Sequence, residues 1–564
     1  MKSSILQRLL GYQTLLDAVA GAPADRRWLV SYQPHKEEPF REMSFGEFAE
    51  LTGRCRGLLS SEGLVAGDTV AMMLPQEPLV MALFVASMQL GAVPTILAYP
   101  TFKVEPEKYR HGLVGVTGTI RPRLVLVDNS YPSELCDVIP ATVVVVDEAT
   151  LPVATPVASE QTTGKDVAFL QHSAGTTGLQ KGVALPHSAV LNQLARLVEV
   201  LGIRSDDRIV SWLPLYHDMG LVACFILPLV CHLPVVMMSP TDWILHPETF
   251  LELATRYRAT LGWLPNFAFQ FMARRVSEEA RRDLDLGSMR VLVSASEPIR
   301  GVSLDEFKDV FTSRGLRPEA LQTSYAMAEN TFAVTQSPVD GRTLPARTAV
   351  SRVALFEQGR VVEAENREDR VELVSCGQPL PGCEVRIVDL TTGRALADGA
   401  VGELLVRSDC LFDGYFRRPE LSERALQDGW YRSGDLAFRQ AQEVYVLGRR
   451  DDVIIVAGRN VFPEDAEVAA ARHPEVRDGR VVAFGVENPK LGTRDLVVIA
   501  EARTGLDRKE AAAIADWIRQ EVAAELTIAP NTVHVVEPGW IVKSTAGKPA
   551  RSTNRKKFLK QGWP

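Results

Sequence analysis

Along this chain, short apolar runs alternate with stretches where apolar residues recur every three or four positions. Thr69 to Leu74 predicts a strand, and Pro78 to Leu90 a buried helix closed by Gly91. Val167 to Leu170 predicts a strand entering a Gly/Thr-rich loop, and Val183 to Leu185 the strand that resumes after it. Ser188 stands where it can cap a helix whose apolar face is Val190, Leu191, Leu194, Leu197, Val198 and Leu201, ended by Gly202. The run Leu221 to Met238 is interrupted by His232, Pro228 and Pro234. A spanning helix needs ~20 mostly apolar residues, so this run predicts a buried core segment and no membrane span. Such alternation predicts α/β layers.

Towards the C-terminus the pattern restarts. Val481 to Phe484, Leu496 to Ala500 and Val533 to Val536 predict strands, and Ile514, Trp517, Ile518 and Val522 mark one helix face. The polar segment Gly448 to Asp452 just before this unit predicts a hinge. With 564 residues the chain exceeds the ~250–300 that one hydrophobic core supports, so at least two domains are expected. The divisions are 1–447, a hinge at 448–452, and 453–564.

Composition narrows the class. A net charge of −8 gives no reason to expect nucleic-acid binding. Seven scattered cysteines, with no Cys-x-x-Cys, predict neither a disulfide framework nor a zinc site and suit a reducing, cytoplasmic setting. Arg8 interrupts the N-terminal apolar stretch, which argues against a secretory signal.

Six segments carry candidate chemistry. Ser173-Ala174-Gly175-Thr176-Thr177-Gly178-Leu179-Gln180-Lys181-Gly182 offers open backbone N–H groups, hydroxyls and one cation between two strands, so it can wrap a polyphosphate. It lacks the Walker spacing and could equally be a polar turn. Pro214-Leu215-Tyr216-His217-Asp218-Met219-Gly220 sets a histidine in a turn that could line a pocket, though a lone histidine is more often structural. In Tyr325-Ala326-Met327-Ala328-Glu329 the carboxylate could hold magnesium, or be solvated surface. In Tyr431-Arg432-Ser433-Gly434-Asp435 the aspartate could accept both hydroxyls of a ribose, or serve the turn. Gly448-Arg449-Arg450-Asp451-Asp452 continues to Ala457-Gly458-Arg459-Asn460. Lys543-Ser544-Thr545-Ala546-Gly547-Lys548 opens a stretch to Lys560 without acidic residues, which on charge alone reads as a solvated basic tail.

In this order and spacing the six segments resemble the adenylate-forming superfamily: acyl-CoA synthetases, fatty acyl-AMP ligases, luciferases and peptide-synthetase adenylation domains. The resemblance runs from about residue 12 to Lys560. Tyr216 to Leu221, Pro265 to Ala268, Ser296-Glu297-Pro298, Val374 to Gly377 and Gly458-Arg459-Asn460 look most like fatty acyl-AMP ligases. That branch usually carries an insertion that disfavours the CoA-using conformation. Ser337 to Arg370 is longer than a simple connection needs, but length alone does not assign it. Two departures stand out. Leu179-Gln180 precedes Lys181 where the family usually has proline, and the C-terminal motif reads Ser-Thr-Ala-Gly-Lys-Pro-Ala-Arg.

The resemblance implies an α/β fold with a large multi-subdomain N-terminal α/β domain and a small mobile C-terminal α+β domain. It implies ATP and Mg2+, with Thr176 and Glu329 near the metal and Ser173, Gly175, Thr176, Thr177, Gly178 and Lys181 about the phosphates. Ser296, Glu297, Pro298, Ser324, Tyr325 and Ala326 would surround adenine, and Asp435 and Arg449 would hold the ribose. His217 would lie near the acyl carboxylate, Lys548 would be catalytic, and Asp451 would be the hinge. Met219, Leu221, Trp263, Phe267, Phe269 and Phe271 are candidates for the acyl pocket. The expected reaction joins a fatty acid to AMP, then passes the acyl group to an acyl carrier protein. The alternatives are a medium- or long-chain acyl-CoA ligase, with CoA as acceptor, and a non-catalytic nucleotide-binding scaffold.

Overall fold

The computed structural model describes residues 4–100, 106–153, 161–173, 181–456, 459–488, 493–503, 505–526, 528–543 and 547–563. Its centre is a seven-stranded sheet in the order Leu321–Thr323, Val291–Ala295, Leu261–Pro265, Ile209–Ser211, Val235–Met238, Arg27–Tyr32 and Phe40–Ser44. All neighbours are parallel except the last pair. Beside it lies a parallel four-stranded sheet, Val93–Ile96, Thr69–Met73, Leu124–Val127 and Thr142–Val145. The strands of Thr69–Met73 and Leu124–Val127 are buried throughout. Their unbroken apolar runs are what a parallel strand covered on both faces requires.

The expected elements form, with one correction. The helix runs His187–Val200 and its N-cap is Pro186, so Ser188 lies inside it. The first N–H groups are already satisfied: His187 donates to the Asp166 carbonyl at 3.1 Å and Ser188 to that of Gly164 at 2.8 Å. Backbone carbonyls from an earlier segment thus take over part of what a hydroxyl cap would do. The run Leu221 to Met238 is core, as its prolines suggest. A π-helical segment, Met219–Ile226, passes into the helix Leu227–Cys231 and then the strand Val235–Met238. No helix among the described residues is long and apolar enough to cross a membrane.

An antiparallel sheet follows, built from Cys383–Val388, Gly402–Ser408, Trp430–Gln440, Leu426–Gln427 and Glu443–Arg449. Gly448 and Arg449 lie in or beside its last strand, and Arg450–Asp452 forms a short 3₁₀ turn into the C-terminal unit. There Val476–Asn488 pairs antiparallel with Thr493–Ala502, which pairs parallel with Thr532–Val536. Alternate residues of these strands serve two small cores. Val481, Ala483, Val498 and Ala500 pack with Ile514, Ile518 and Val522 of the helix Arg508–Leu526. Val482, Phe484, Val497 and Ile499 pack with Phe558 of the helix Arg551–Gln561.

Within the long stretch Ser337 to Arg370, the chain forms the strand Arg347–Ser351 and the helix Arg352–Phe356. These reach the C-terminal unit. Arg352 pairs with Glu525 at 3.0 Å, Glu357 pairs with Arg459, and Phe356 meets Phe462 at 5.1 Å between ring centres.

Candidate active site

Because the central strands are parallel, the segments that follow them all emerge along one edge of the sheet, where open α/β sheets take ligands. Trp212 to Gly220 follows Ile209–Ser211, and Asn266 onward follows Leu261–Pro265. Ser296 to Arg300 follows Val291–Ala295, and Ser324 to Glu329 follows Leu321–Thr323. Candidate residues far apart in sequence therefore become neighbours.

The turn carrying His217 is tightly tied. Gln171 donates to the Tyr216 carbonyl at 2.8 Å, and the Gly220 position leaves no room for a side chain, since a Cβ there would lie 2.2 Å from the Pro214 oxygen. His217 Nδ1 lies 2.7 Å from Asp218 Oδ1, which also accepts the Met219 N–H at 2.7 Å. Burial would raise the Asp218 carboxyl, but His217, the Met219 N–H and Lys548 outweigh it and hold it below the ordinary carboxylate range. Asp218 is ionised at neutral pH.

Ser296 sits at φ +66°, a left-handed backbone that is strained for a residue with a Cβ. Its carbonyl accepts a hydrogen bond from Lys548 Nζ, and its hydroxyl lies 3.9 Å from Met219 Sδ. Glu297 accepts the Phe267 N–H at 3.1 Å. Asn266 accepts the Arg300 N–H at 3.0 Å, pinning the far end of this loop. Ser324 donates to the Thr335 carbonyl at 2.7 Å, and the Tyr325 hydroxyl donates to Asp435. Asp435 faces Arg449 across the hairpin, with 2.9 Å between their charged atoms. Burial raises the Asp435 carboxyl; Arg449, the Tyr325 hydroxyl and Lys548 oppose that shift. Arg449 is held firmly charged, first by Asp435.

Glu329 lies in the 3₁₀ turn Ala328–Asn330 and is only 7% exposed, so the alternative of a solvated surface glutamate is overturned. It accepts the Tyr415 hydroxyl at 2.9 Å, and Tyr415 lies 3.4 Å from the Tyr431 hydroxyl. Lys181 Nζ stands 4.6 Å above the Tyr415 ring, a cation–π contact that brings the end of the Gly/Thr-rich loop to this carboxylate. Gly175, Thr176, Thr177 and Gly178, and the Ser173 side chain, lie outside the described residues. Magnesium needs only one or two protein carboxylates when phosphates supply the rest. A buried glutamate with one oxygen tied to a tyrosine, near a lysine, fits such a role.

Lys548 is delivered from the C-terminal unit. Lys543 and Pro549 form an isolated bridge on either side of it, and Arg551 pairs with Asp452 at 3.0 Å, Glu464 at 2.7 Å and Glu467 at 2.8 Å. Its charge bears on both Asp218 and Asp435. Asp451 itself is exposed, with Arg450 at 3.5 Å.

The acyl-pocket candidates divide. Met219, Leu221, Trp263 and Phe269 are fully enclosed, and Phe269 packs on Phe307. Phe271 is partly buried against Trp243. Phe267 is 44% exposed and meets Trp212 and Trp243, whose indoles stack in parallel 3.7 Å apart. Trp212, Trp243, Tyr415 and the pairing of Asp218 with His217 emerge only in the folded chain. Asp218 stood within a quoted motif, whereas Gly414-Tyr415 carries no local signal.

A parallel-sheet edge that gathers an aspartate–arginine pair, a buried glutamate and a lysine brought by a separate small unit defines an adenylate-forming enzyme. The chain belongs to the AMP-binding enzyme family, whose model matches residues 16–416. It is 33% identical over 409 residues to the medium-chain-fatty-acid–acyl-carrier-protein ligase JamA of Moorena producens, covering 70% of this chain and 68% of that one. It is 30% identical over 534 residues to the long-chain-fatty-acid–AMP ligase FadD26 of Mycobacterium marinum, covering 88% of each. Among solved structures, one from work on fatty acyl-adenylate ligases of E. coli and L. pneumophila superposes with a TM-score of 0.88 at 27% identity, over 98% of both chains. The L. pneumophila ligase in complex with acyl adenylate and pyrophosphate gives 0.75 at 25% identity, over 99% of this chain and 98% of that one.

Proposed function

We propose that this protein is a fatty acyl-AMP ligase, which activates a fatty acid with ATP to acyl-adenylate and pyrophosphate and then loads an acyl carrier protein. The observation that carries the reading is Lys548 resting on the Ser296 carbonyl, within the fields of Asp218 and Asp435. A lysine there stands between the side of the site suited to a ribose and the side suited to a carboxylate.

In this reading residues 1–447 bind ATP and the acid, 448–452 are the hinge and 453–564 the lid. Asp435 and Arg449 take the ribose hydroxyls. The backbone at Ser296 to Pro298 and Ser324 to Ala326 frames adenine, with Tyr325 held by Asp435. Ser173 to Gly178 and Lys181 cradle the phosphates. Glu329 and Thr176 would hold magnesium, which when bound neutralises phosphate charge. A carboxylate oxygen of the acid attacks the α-phosphorus, the P–O bond to pyrophosphate breaks, and pyrophosphate leaves. Lys548 draws two anions together and stabilises the charge spread over the phosphoryl oxygens. His217, oriented by Asp218, sits beside the acyl carboxylate. Met219, Phe267 and Phe271 lead to the Trp212–Trp243 pair, an apolar surface for the chain. Each buried methylene contributes ~0.8 kcal/mol, so the depth before those indoles sets chain-length preference.

Arg352, Phe356 and Glu357 contact the lid. They anchor the lid in the pose that presents Lys548. The similarity to JamA, a medium-chain-fatty-acid–acyl-carrier-protein ligase, supports a carrier protein as the acceptor. The absence of an apolar spanning helix among the described residues is compatible with work in the cytoplasm.

The test is incubation with ATP, magnesium and fatty acids from short to long, followed by mass spectrometry, with CoA or a holo carrier protein in parallel. Acyl-AMP that persists with CoA but disappears into acyl-carrier is the expected result. Rapid acyl-CoA formation would assign the CoA ligase instead, and no adenylate with any acid would return the scaffold reading.

A further inference from the structure

The helix Arg551–Gln561 has two faces, and only one is explained by folding. Asn554 and Phe558 point inward: Asn554 exchanges hydrogen bonds with Val542 at 2.8 Å, and Phe558 packs on Phe484. Two of the cations are also used locally. Arg551 takes Asp452, Glu464 and Glu467, and Lys557 donates to the Trp540 carbonyl at 2.7 Å while lying over its ring. The solvent face is Ser552, Arg555, Lys556, Leu559 and Lys560, spaced as one helical stripe.

That stripe is out of keeping with the rest of the lid. Elsewhere on it the arginines near the surface are paired, apart from Arg508: Arg472 with Glu521 and Glu525, Arg494 with Glu487, Arg503 with Asp478 and Arg519 with Asp516. Among the described residues no carboxylate pairs with Arg555, Lys556 or Lys560, and from Lys543 to Pro564 the sequence has no acidic residue. Lys556 and Lys560 repel one another at i,i+4, which works against the helix. Between the cations Leu559 is 53% exposed. An apolar centre rimmed by unpaired cations has the anatomy of an interface with an acidic partner.

We propose that this face is where an acidic, phosphopantetheine-bearing carrier protein docks on the lid. The inference rests on the carrier-loading function proposed above. A chain of net charge −8 repels an acidic carrier at long range, so a local basic stripe is needed to steer it. The helix begins three residues after Lys548, so the docked carrier moves with the element that withdraws the lysine. In the transfer itself the pantetheine sulfur bonds to the acyl carbonyl carbon and the C–O bond to phosphate breaks. AMP leaves with the electron pair and the thiol proton passes to solvent.

The test uses the full chain with Arg555→Glu, Lys556→Glu and Lys560→Glu combined, and acidic holo carrier proteins as acceptors. ATP–pyrophosphate exchange and transfer to free pantetheine should match wild type, while KM for the carrier rises at least about tenfold with kcat little changed. The wild-type KM should also climb more steeply with salt than that of the triple variant. An unchanged carrier KM overturns the surface. Parallel loss of exchange and pantetheine transfer assigns the helix a structural role and overturns it too. Vesicles of anionic phospholipid that bind through these three residues, with carrier kinetics intact, would assign the stripe to a membrane. Should the wild type load no acidic carrier yet form acyl-CoA, the functional reading itself fails.

Discussion

Lys548 carries one positive charge into a space already shared by Asp218 and Asp435, with Ser296 supplying the hydrogen-bond acceptor. In the proposed reaction two anions, a carboxylate and a triphosphate, meet here, so a fixed cation is worth most at the moment of attack. Groups of this kind contribute ~3–4 kcal/mol, a rate factor of ~10²–10³. Lys548→Ala should therefore fold and bind ATP but form adenylate at least about a hundredfold more slowly, measured by pyrophosphate release. A near-normal rate in the folded variant would remove Lys548 from the chemistry. The lysine itself was legible in the sequence as a motif position. Its partners were not, because Ser296 lies 252 positions away and the contact exists only when the C-terminal unit is folded against the sheet edge.

At the scale of elements, His187 shows how a helix start can be set by burial. It opens the helix His187–Val200, and its Nδ1 accepts the Leu15 N–H at 3.2 Å. That bond needs an unprotonated nitrogen. Burial pushes the imidazole from 6.5 down to about 4. In the folded state it stays neutral where the unfolded chain takes up a proton. Stability is therefore fully present above ~6.5 and falls as pH drops towards 4, by up to about 3 kcal/mol from this group. The thermal midpoint should fall from pH 7 to pH 5, and His187→Gln should flatten part of that slope; an identical slope in the variant would assign the acid sensitivity elsewhere. The helix was readable from its apolar period. Its cap was not, since the carbonyls of Asp166 and Gly164 that satisfy its first N–H groups come from another segment.

On the scale of the whole molecule, the C-terminal unit is held against the rest of the chain by charge as well as by apolar contact. Arg300, at the end of the Ser296 loop, pairs with Asp465 of the C-terminal unit at 2.8 Å and is partly buried. Removing one partner of such a pair strands the other charge, at a cost of several kcal/mol when desolvation is complete. Arg300→Glu should slow ATP–pyrophosphate exchange by about tenfold or more, and Arg300→Glu with Asp465→Arg should recover most of it. A double variant no better than the single one would deny the pair a role in holding the lid.

The sequence by itself determined the layers and the chemistry on offer. Period-2 and period-3.6 patterns need only local residues, and motif spacing preserves the order of a nucleotide site whatever the folding path. The tertiary structure alone decided which groups meet. It turned Glu329 inward to Tyr415, set Asp218 beside His217, stacked Trp212 on Trp243 and brought Lys548 across from the C-terminal unit. The reason is physical: burial, hydrogen bonding and Coulomb interaction depend on distances in space, and a parallel sheet gathers at one edge segments that the sequence keeps far apart.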